Sequence, residues 1–321
     1  LSSPFFNWAA INDKRTAGLD SFLNGLQSSS KSRLGVMLDL GKMQEVPPPE
    51  KFILDSVESV ETFAYAPLPL ALDRFRLDPS GLLAVVTVSI PGAADAEPPA
   101  LLTRFAPVST GPNPRLLGEG SFRVEGEGSG RVAQGRVALE AGAWDVTVLA
   151  VEPTSGVSRI FKGRVNPLPT GGALALSDVV LARSLEPLPF ATQASYDAPY
   201  IVGGFHVVPQ AAATLTRGQP VRLFYEIYAG RAPYRVAYQL EGREDDGRWT
   251  SLGRPQERDA TTRGQGFELS TGAAWPPGSY RMRIRVTDAA GAAAEGLVTW
   301  ALVETETPPK PDATAPILNE P

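Results

Sequence analysis

Along most of the chain, apolar and polar residues alternate. Val221, Leu223, Tyr225 and Ile227 alternate with Arg222, Phe224, Glu226 and Tyr228, and Tyr234, Val236, Tyr238 and Leu240 keep the same period. A period of two places one set of side chains on each face of a strand, so both stretches are expected as strands. One such pattern occurs twice. Ala141-Gly142-Ala143-Trp144-Asp145-Val146-Thr147-Val148-Leu149-Ala150 is matched by Pro277-Gly278-Ser279-Tyr280-Arg281-Met282-Arg283-Ile284-Arg285-Val286. Glycine matches glycine, an aromatic ring follows two positions on, and apolar residues then take every second place. A small turn closes each copy, Pro153-Thr154-Ser155-Gly156 in one and Asp288-Ala289-Ala290-Gly291 in the other. The repeat predicts two tandem β-sandwiches, with Trp144 and Tyr280 as equivalent core anchors near a sheet corner.

The rest of the pattern fills in around these two strands. Leu19, Phe22, Leu23 and Leu26 recur at helical spacing, which predicts a short amphipathic helix over about 13–27. Leu34, Val36, Leu38 and Leu40 alternate as in a strand, and Pro47-Pro48-Pro49 must be extended. Residues 1–62 are therefore expected as an irregular, partly helical segment. A first sandwich is expected over 63–168. There, Phe75-Arg76-Leu77 runs into the turn Asp78-Pro79-Ser80-Gly81, and Leu82 to Ile90 is almost wholly apolar. An unbroken apolar run of that length predicts a strand buried on both faces. Residues 169–203 read as a connector; its apolar Leu174–Ala182 stretch is expected to pack on one of the domains. A second sandwich is expected over 204–303, including a hairpin with Asp246-Gly247 at its tip. Residues 304–321 form a Pro-rich tail.

Composition narrows the partners more than the chemistry. The 321 residues carry 30 Lys and Arg against 35 Asp and Glu, a net charge of −5. That mild acidity argues against nucleic acid, which wants a basic face. Gly 31 and Pro 30 punctuate apolar runs, as in an all-β chain with many turns. The absence of cysteine excludes disulfides, thiolate metal sites and a Cys nucleophile. No apolar run reaches about 18 residues, so no membrane-spanning helix is expected. The chain opens at Leu1 and not at Met, which fits a cleaved signal peptide, or an upstream part not represented.

Candidate chemistry is sparse. The single histidine, His206, lies in an apolar strand, and the chain has no Gly-x-Ser-x-Gly elbow to pair with it. It reads as a strand residue facing solvent or a neighbour. Glu244-Asp245-Asp246-Gly247 clusters carboxylates without the Asp-x-Asp-x-Asp-Gly spacing of a calcium loop, and reads as a solvated hairpin tip. Gly118-Glu119-Gly120 and Gly126-Glu127-Gly128-Ser129-Gly130 lack the lysine of a phosphate loop and read as turns. Among the aromatic residues, Tyr225, Tyr234 and Tyr238 should pack inward, which leaves Trp249 as the candidate ligand-binding aromatic. Arg281, Arg283 and Arg285 share one face of one strand, opposite Met282, Ile284 and Val286. They form either a solvated, salt-bridged face or a docking face for an acidic partner. No catalytic, cofactor or metal residue is assigned.

Several of these strands resemble a known group. Leu215-Thr216-Arg217-Gly218-Gln219-Pro220-Val221-Arg222-Leu223-Phe224-Tyr225-Glu226-Ile227-Tyr228 and Trp275–Asp288 are similar to strands of bacterial GWxTD domain-containing proteins, as are Ala175–Ala182 and the Phe75–Gly81 hairpin. The resemblance covers residues 63–303. The Gly-Trp-x-Thr-Asp motif itself is absent, so the match is to the β-sandwich portion. It implies an exported bacterial protein with tandem sandwiches and no established activity. The expectation is an all-β chain of two tandem Ig-like β-sandwich domains behind an irregular, partly helical N-terminal segment. It would act without catalysis, outside the cytoplasm, as a structural or interaction subunit that reaches a protein partner or a second copy through the N-terminal segment and the tail. Alternatives are a carbohydrate- or ligand-binding module and an accessory region of a larger hydrolase.

Overall fold

The computed structural model describes residues 66–77, 81–90, 97–109, 114–118, 121–126, 130–152, 158–169, 171–189, 199–271 and 275–304. The helix and strand expected before residue 62, the turns at Asp78-Pro79-Ser80 and Pro153–Gly156, and the tail beyond Glu304 lie outside these residues. The regular elements within them are β-strands, and Ser121 and Gly130 have 3₁₀ conformation.

Four sheets result. The first runs in the order β1 (Ala66–Pro67), β9 (Ser158–Val165), β8 (Trp144–Val151), β4 (Ala100–Pro107), β5 (Arg115–Leu117). The second is β2 (Leu70–Leu77), β3 (Gly81–Ser89), β7 (Val132–Leu139), β6 (Arg123–Glu125). The third is β10 (Ala175–Leu176), β15 (Val221–Tyr228), β11 (Val180–Pro187), β13 (Phe205–Pro209), β12 (Ile201–Val202), with β19 (Gly264–Leu269) also on β15. The fourth is β14 (Thr214–Thr216), β21 (Ala293–Val303), β20 (Gly278–Thr287), β16 (Tyr234–Arg243), β17 (Trp249–Ser251), with β18 (Gln256–Ala260) also on β16. The stretch expected as a connector thus supplies β10, β11 and β12 to the third sheet.

The sequence repeat becomes a repeat of sheets. β8 and β20 are the middle strands of the first and fourth sheets. Each of these sheets has a short edge strand running parallel to its neighbour, β1 on β9 and β14 on β21, while the other pairings are antiparallel. The repeated glycines, Gly142 and Gly278, both hold positive φ, 144° and 158°, where a residue without Cβ is favoured. The aromatic that follows each is buried and tied to the corner by its polar atom. Trp144 Nε1 donates to the Glu140 carbonyl at 3.1 Å and Tyr280 Oη to the Pro276 carbonyl at 2.6 Å, each four residues upstream. Both rings are core anchors, as the repeat predicts.

The sheets stack face to face around three apolar layers. Between the first and second lie Leu82, Ala84, Val86 and Val88 of β3 against Phe105, Trp144, Val146 and Val148. Between the third and fourth lie Val221, Leu223, Tyr225 and Ile227 of β15 against Tyr238, Met282, Ile284 and Trp300. The other faces of β3 and β15 meet each other: Phe75, Leu83 and Val85 pack on Val180, Ala182, Val207 and Phe224. The Phe224 ring sits 6.2 Å from Phe75 and 5.5 Å from Phe205. Every residue of β3 from Leu82 to Val88 is buried, which is why the run is apolar without alternation.

Polar groups seal this junction. Arg74 donates from Nε and Nη2 to the two Asp178 oxygens at 2.8 and 2.6 Å, and the Asp178 amide donates back to the Arg74 carbonyl at 3.2 Å. Arg76 and Arg263 stack on opposite sides of the junction over the Tyr228 ring, at 4.8 and 4.6 Å. Tyr228 Oη and Arg263 Nη2 both donate to the buried Glu226 carboxylate, at 2.8 and 3.1 Å. Elsewhere on the junction, Tyr200 holds φ at 63°, an uncommon conformation for a residue with a side chain. Its amide donates to Gln134 Oε1 at 2.8 Å and its hydroxyl to the Arg123 and Val132 carbonyls. Asp73 is the misfit. Its Oδ2 has no hydrogen-bond partner among the described residues, and burial, reinforced by the Asp178 charge and opposed by Arg74, pushes its carboxyl up to about 8.

Two outcomes follow. Tyr280→Phe removes only the corner hydroxyl and should lower unfolding free energy by about 0.5–1.5 kcal/mol in a urea titration. Asp73 binds a proton more tightly folded than unfolded, so its contribution to stability declines as pH rises from about 4 to about 8. Asp73→Asn should therefore flatten the pH dependence of the melting temperature across that window and raise it at pH 8, read by thermal melts at several pH values.

Candidate functional site

The outer face of the fourth sheet gathers the residues that sequence pattern singles out. The Asp246-Gly247 tip, with Gly247 at φ 83°, and the Glu244 amide on the Arg248 carbonyl at 2.8 Å fold β17 back along β16. That register sets Trp249 opposite Arg243. On the other side of β16, β20 sets Arg281 opposite Glu241, Arg283 opposite Gln239 and Arg285 opposite Ala237. β21 then sets Leu297 opposite Arg283 and Glu295 opposite Arg285.

Trp249 and the arginine row meet in one cluster. The Arg281 guanidinium lies over the Trp249 ring at 4.5 Å, a cation–π contact. Arg281 is also hydrogen-bonded to Glu241 Oε2, and Arg283 lies 3.5 Å from Glu241 Oε1 and 3.7 Å from Glu295 Oε2. Burial pushes the Glu241 carboxyl up, but the Arg281 hydrogen bond and the Arg283 and Arg281 charges outweigh it and hold the group below the usual carboxylate range. Arg281 and Arg283 are thus neutralised in place, and Arg285 is the exposed cation of the row. Beside it, Leu297 stands 52% exposed.

A cavity of about 510 Å³ adjoins this face. Glu295, Gly296 and Leu297 form one wall, and Arg74, Ser177 and Asp178 line the junction side. Glu295 links the two, since it also contacts Arg283. The combined surface offers guanidinium, carboxylate, indole and leucine side chains, suited to holding a polypeptide surface in register.

The other candidates go elsewhere. His206 bridges the junction, with Nε2 2.9 Å from Glu125 Oε1 on β6 and its ring 6.2 Å from Tyr200. Asp246 caps its own hairpin: the Arg248 amide and then its side chain lower the Asp246 carboxyl. No cluster of three or more metal-ligating side chains occurs among the described residues. Tyr225, Tyr234 and Tyr238 are buried, and Tyr225 and Tyr238 share a 2.8 Å hydroxyl contact. Glu127–Ser129 and Glu119-Gly120 lie outside the described residues; Gly126 turns between β6 and β7 at φ 99°. Sequence pattern missed Glu241 and Glu295, because only strand register brings them to the arginines.

No protein-family model matches the chain, and no curated protein matches it. Among solved structures, a bacterial ice-binding adhesin of 1.5 MDa, studied for host cell surface retention, is 10% identical over 75% of this chain and 66% of its own, with a TM-score of 0.20. A tetra-tandem repeat in the extending region of a large adhesion protein is 10% identical over 73% and 49%, with a TM-score of 0.21. Trypsin-activated alpha-2-macroglobulin from Escherichia coli is 11% identical over 76% of this chain and 17% of its own, with a TM-score of 0.25. The match takes in less than two thirds of each of those chains, and likenesses this slight carry no argument about fold or role. No helix among the described residues is long and apolar enough to cross a membrane.

Removing Glu241 leaves Arg281 and Arg283 adjacent without their shared carboxylate. Glu241→Ala should cost about 1.5–3 kcal/mol, as for other hydrogen bonds to charged groups. Trp249→Ala should cost only about 0.5–1 kcal/mol, the range of a surface cation–π contact. Chemical denaturation of the two variants should rank them in that order.

Proposed function

We propose that the chain is a non-enzymatic, extracytoplasmic bacterial protein that serves as a structural or protein-interaction subunit of a larger assembly. In this reading its two halves are tandem Ig-like sandwiches, the second of which takes in β10, β11 and β12 as well as residues 204–303. The aromatic corners at Trp144 and Tyr280 and the short parallel edge strand beside the last strand of each half support the Ig-like reading. The resemblance to the sandwich portion of GWxTD domain-containing proteins points the same way.

One observation carries the reading. The two halves are bound face to face by an apolar layer sealed at its margins by Arg74–Asp178 and Glu125–His206, and so present the face of the fourth sheet on a stiff support. Stiff presentation of a side-chain surface is what an interaction subunit needs, because a partner then binds without ordering its host. The partner contacts this face around Arg283, Arg285 and Leu297, and the tail beyond Glu304 lies beside it in the chain. A sugar platform at Trp249 is disfavoured, since Arg281 already covers a face of the ring.

Size-exclusion chromatography with light scattering on protein taken from its source organism should give a mass well above that of one chain. Arg285→Glu with Leu297→Glu should return it to the single-chain mass while leaving the far-UV circular dichroism unchanged. A single-chain mass for the unaltered protein would overturn the reading.

A further inference from the structure

One side of β21 is only partly covered. Its pairing with β20 runs without a break from Ala293 to Leu302. On its other side, β14 pairs only with Ala301, Leu302 and Val303. Among the described residues no strand continues that pairing toward Ala293. The Ala301 amide donates to the Ala213 carbonyl and the Val303 carbonyl accepts from the Arg217 amide, both on the β14 side. Backbone groups alternate in direction along an antiparallel strand, so the N–H and C=O groups of Glu295, Leu297 and Thr299 also point away from β20. Burial follows the cover. Trp300 and Leu302, beside β14, are 1% and 2% exposed, whereas Ala294 and Val298 point into the same core and stay half-buried.

Natural sheets blunt open edges with Lys, Pro, a bulge or a very short strand. From Ala293 to Thr299 there is no Lys or Pro, the register is unbroken, and the one charge is Glu295. The edge of β2 shows the contrast, because side chains of the other half close it. The Arg74 amide donates to Asp178 Oδ2 at 2.8 Å and the Arg76 amide to Tyr228 Oη at 2.9 Å. The 510 Å³ cavity lies along the open stretch of β21, with residues 294–297 on one side and Leu174, Leu176 and Val179 on the other. Gly296 lets the two sides approach, since a Cβ there would stand 2.8 Å from Val179 Cγ2.

We propose that this groove binds an extended segment of a partner polypeptide, which joins the fourth sheet as a strand along Ala293–Thr299, in line with β14. The inference rests on the interaction role proposed above and names how the partner is held. A row of outward amides and carbonyls at the strand repeat is matched by another extended backbone. At the usual rise per residue, the open stretch takes a segment of about seven residues. Every second side chain of that segment enters the cavity, where Leu174, Leu176 and Val179 favour apolar groups. The others lie on the outer face, where Leu297 favours an apolar neighbour and Glu295 a Lys or Arg.

The probe is a phage-displayed library of short random peptides, panned on the purified full chain. It should return sequences with apolar residues at every second position. The strongest, made as a free peptide, should slow hydrogen exchange at the amides of Glu295, Leu297 and Thr299 at least about ten-fold, read residue by residue by NMR. The amides of Ala294, Gly296 and Val298, which face β20, should not change. Leu297→Pro removes one outward donor and no bond to β20, and should weaken the peptide at least about ten-fold. Leu297→Ala keeps the amide and should weaken it less, with far-UV circular dichroism unchanged in both variants. The proposal is overturned by a library without alternating binders, by binding that leaves the three amides unslowed, or by equal loss in the two variants. Slow exchange at these amides in the chain without peptide also overturns it, since the edge would then be covered by the chain's own ends or a second copy. Light scattering on the native protein reads the interaction role separately. An assembly in which the three amides still exchange freely removes strand addition alone, and a single-chain mass removes the role itself.

Discussion

The structure depends on one strand being buried on both faces. β3 gives Leu82, Ala84, Val86 and Val88 to the core of its own half and Leu83 and Val85 to the junction. A strand with a solvated face would need polar residues at alternate positions, and this one has none from Leu82 to Val86. At about 1.5–3 kcal/mol for each large apolar side chain taken from water, the few junction residues from both sides add up to a substantial attraction. Separating the halves would expose them all together. The junction is therefore part of the fold.

Burying a junction also brings polar groups out of water, and most of them are answered. Glu226 receives Tyr228 and Arg263, Asp178 receives Arg74, and the Tyr200 amide reaches Gln134. Each bond fixes direction as well as distance, so the polar margin sets how the two apolar faces are turned relative to one another. Apolar contact alone would leave that angle loose. Asp73 is answered less well, and its raised carboxyl shows what a buried acid does when too little answers it.

Much of the local structure was legible in the residues. Period-two patterning located β15, β16 and β20, Asp246-Gly247 located a hairpin, and the unbroken apolar run Leu82–Ile90 anticipated burial on both faces. The Gly-x-aromatic repeat identified Trp144 and Tyr280 as anchors because a corner needs a bulky ring beside a residue tolerant of unusual φ. What covers the second face of β3 was not legible, since Arg74 and Asp178 are 104 positions apart and nothing in their neighbourhoods marks them as partners. The arginine row shows the same limit. Its members can be read off one strand, but Glu241 and Glu295 become their counter-ions only through the registers of β16 and β21. Until those are known, a neutralised row and a free basic face look alike.

The two places where the described chain passes out of the stack lie on its outermost layers. Ala66 is on the edge strand of the first sheet and Val303 ends β21 in the fourth. With packed sheets about 10 Å apart, the exits are separated by about 30 Å of layered protein. Tension applied between them would load all three apolar layers in series. The two outer layers are each crossed several times by the chain as it passes between their sheets, whereas the middle one is crossed once by the chain, between β9 and β10, and otherwise, among the described residues, by side chains and a single main-chain hydrogen bond between Asp178 and Arg74. Mechanically, the molecule is a clutch: under pull the middle layer slips first, and the two halves part while each is still folded.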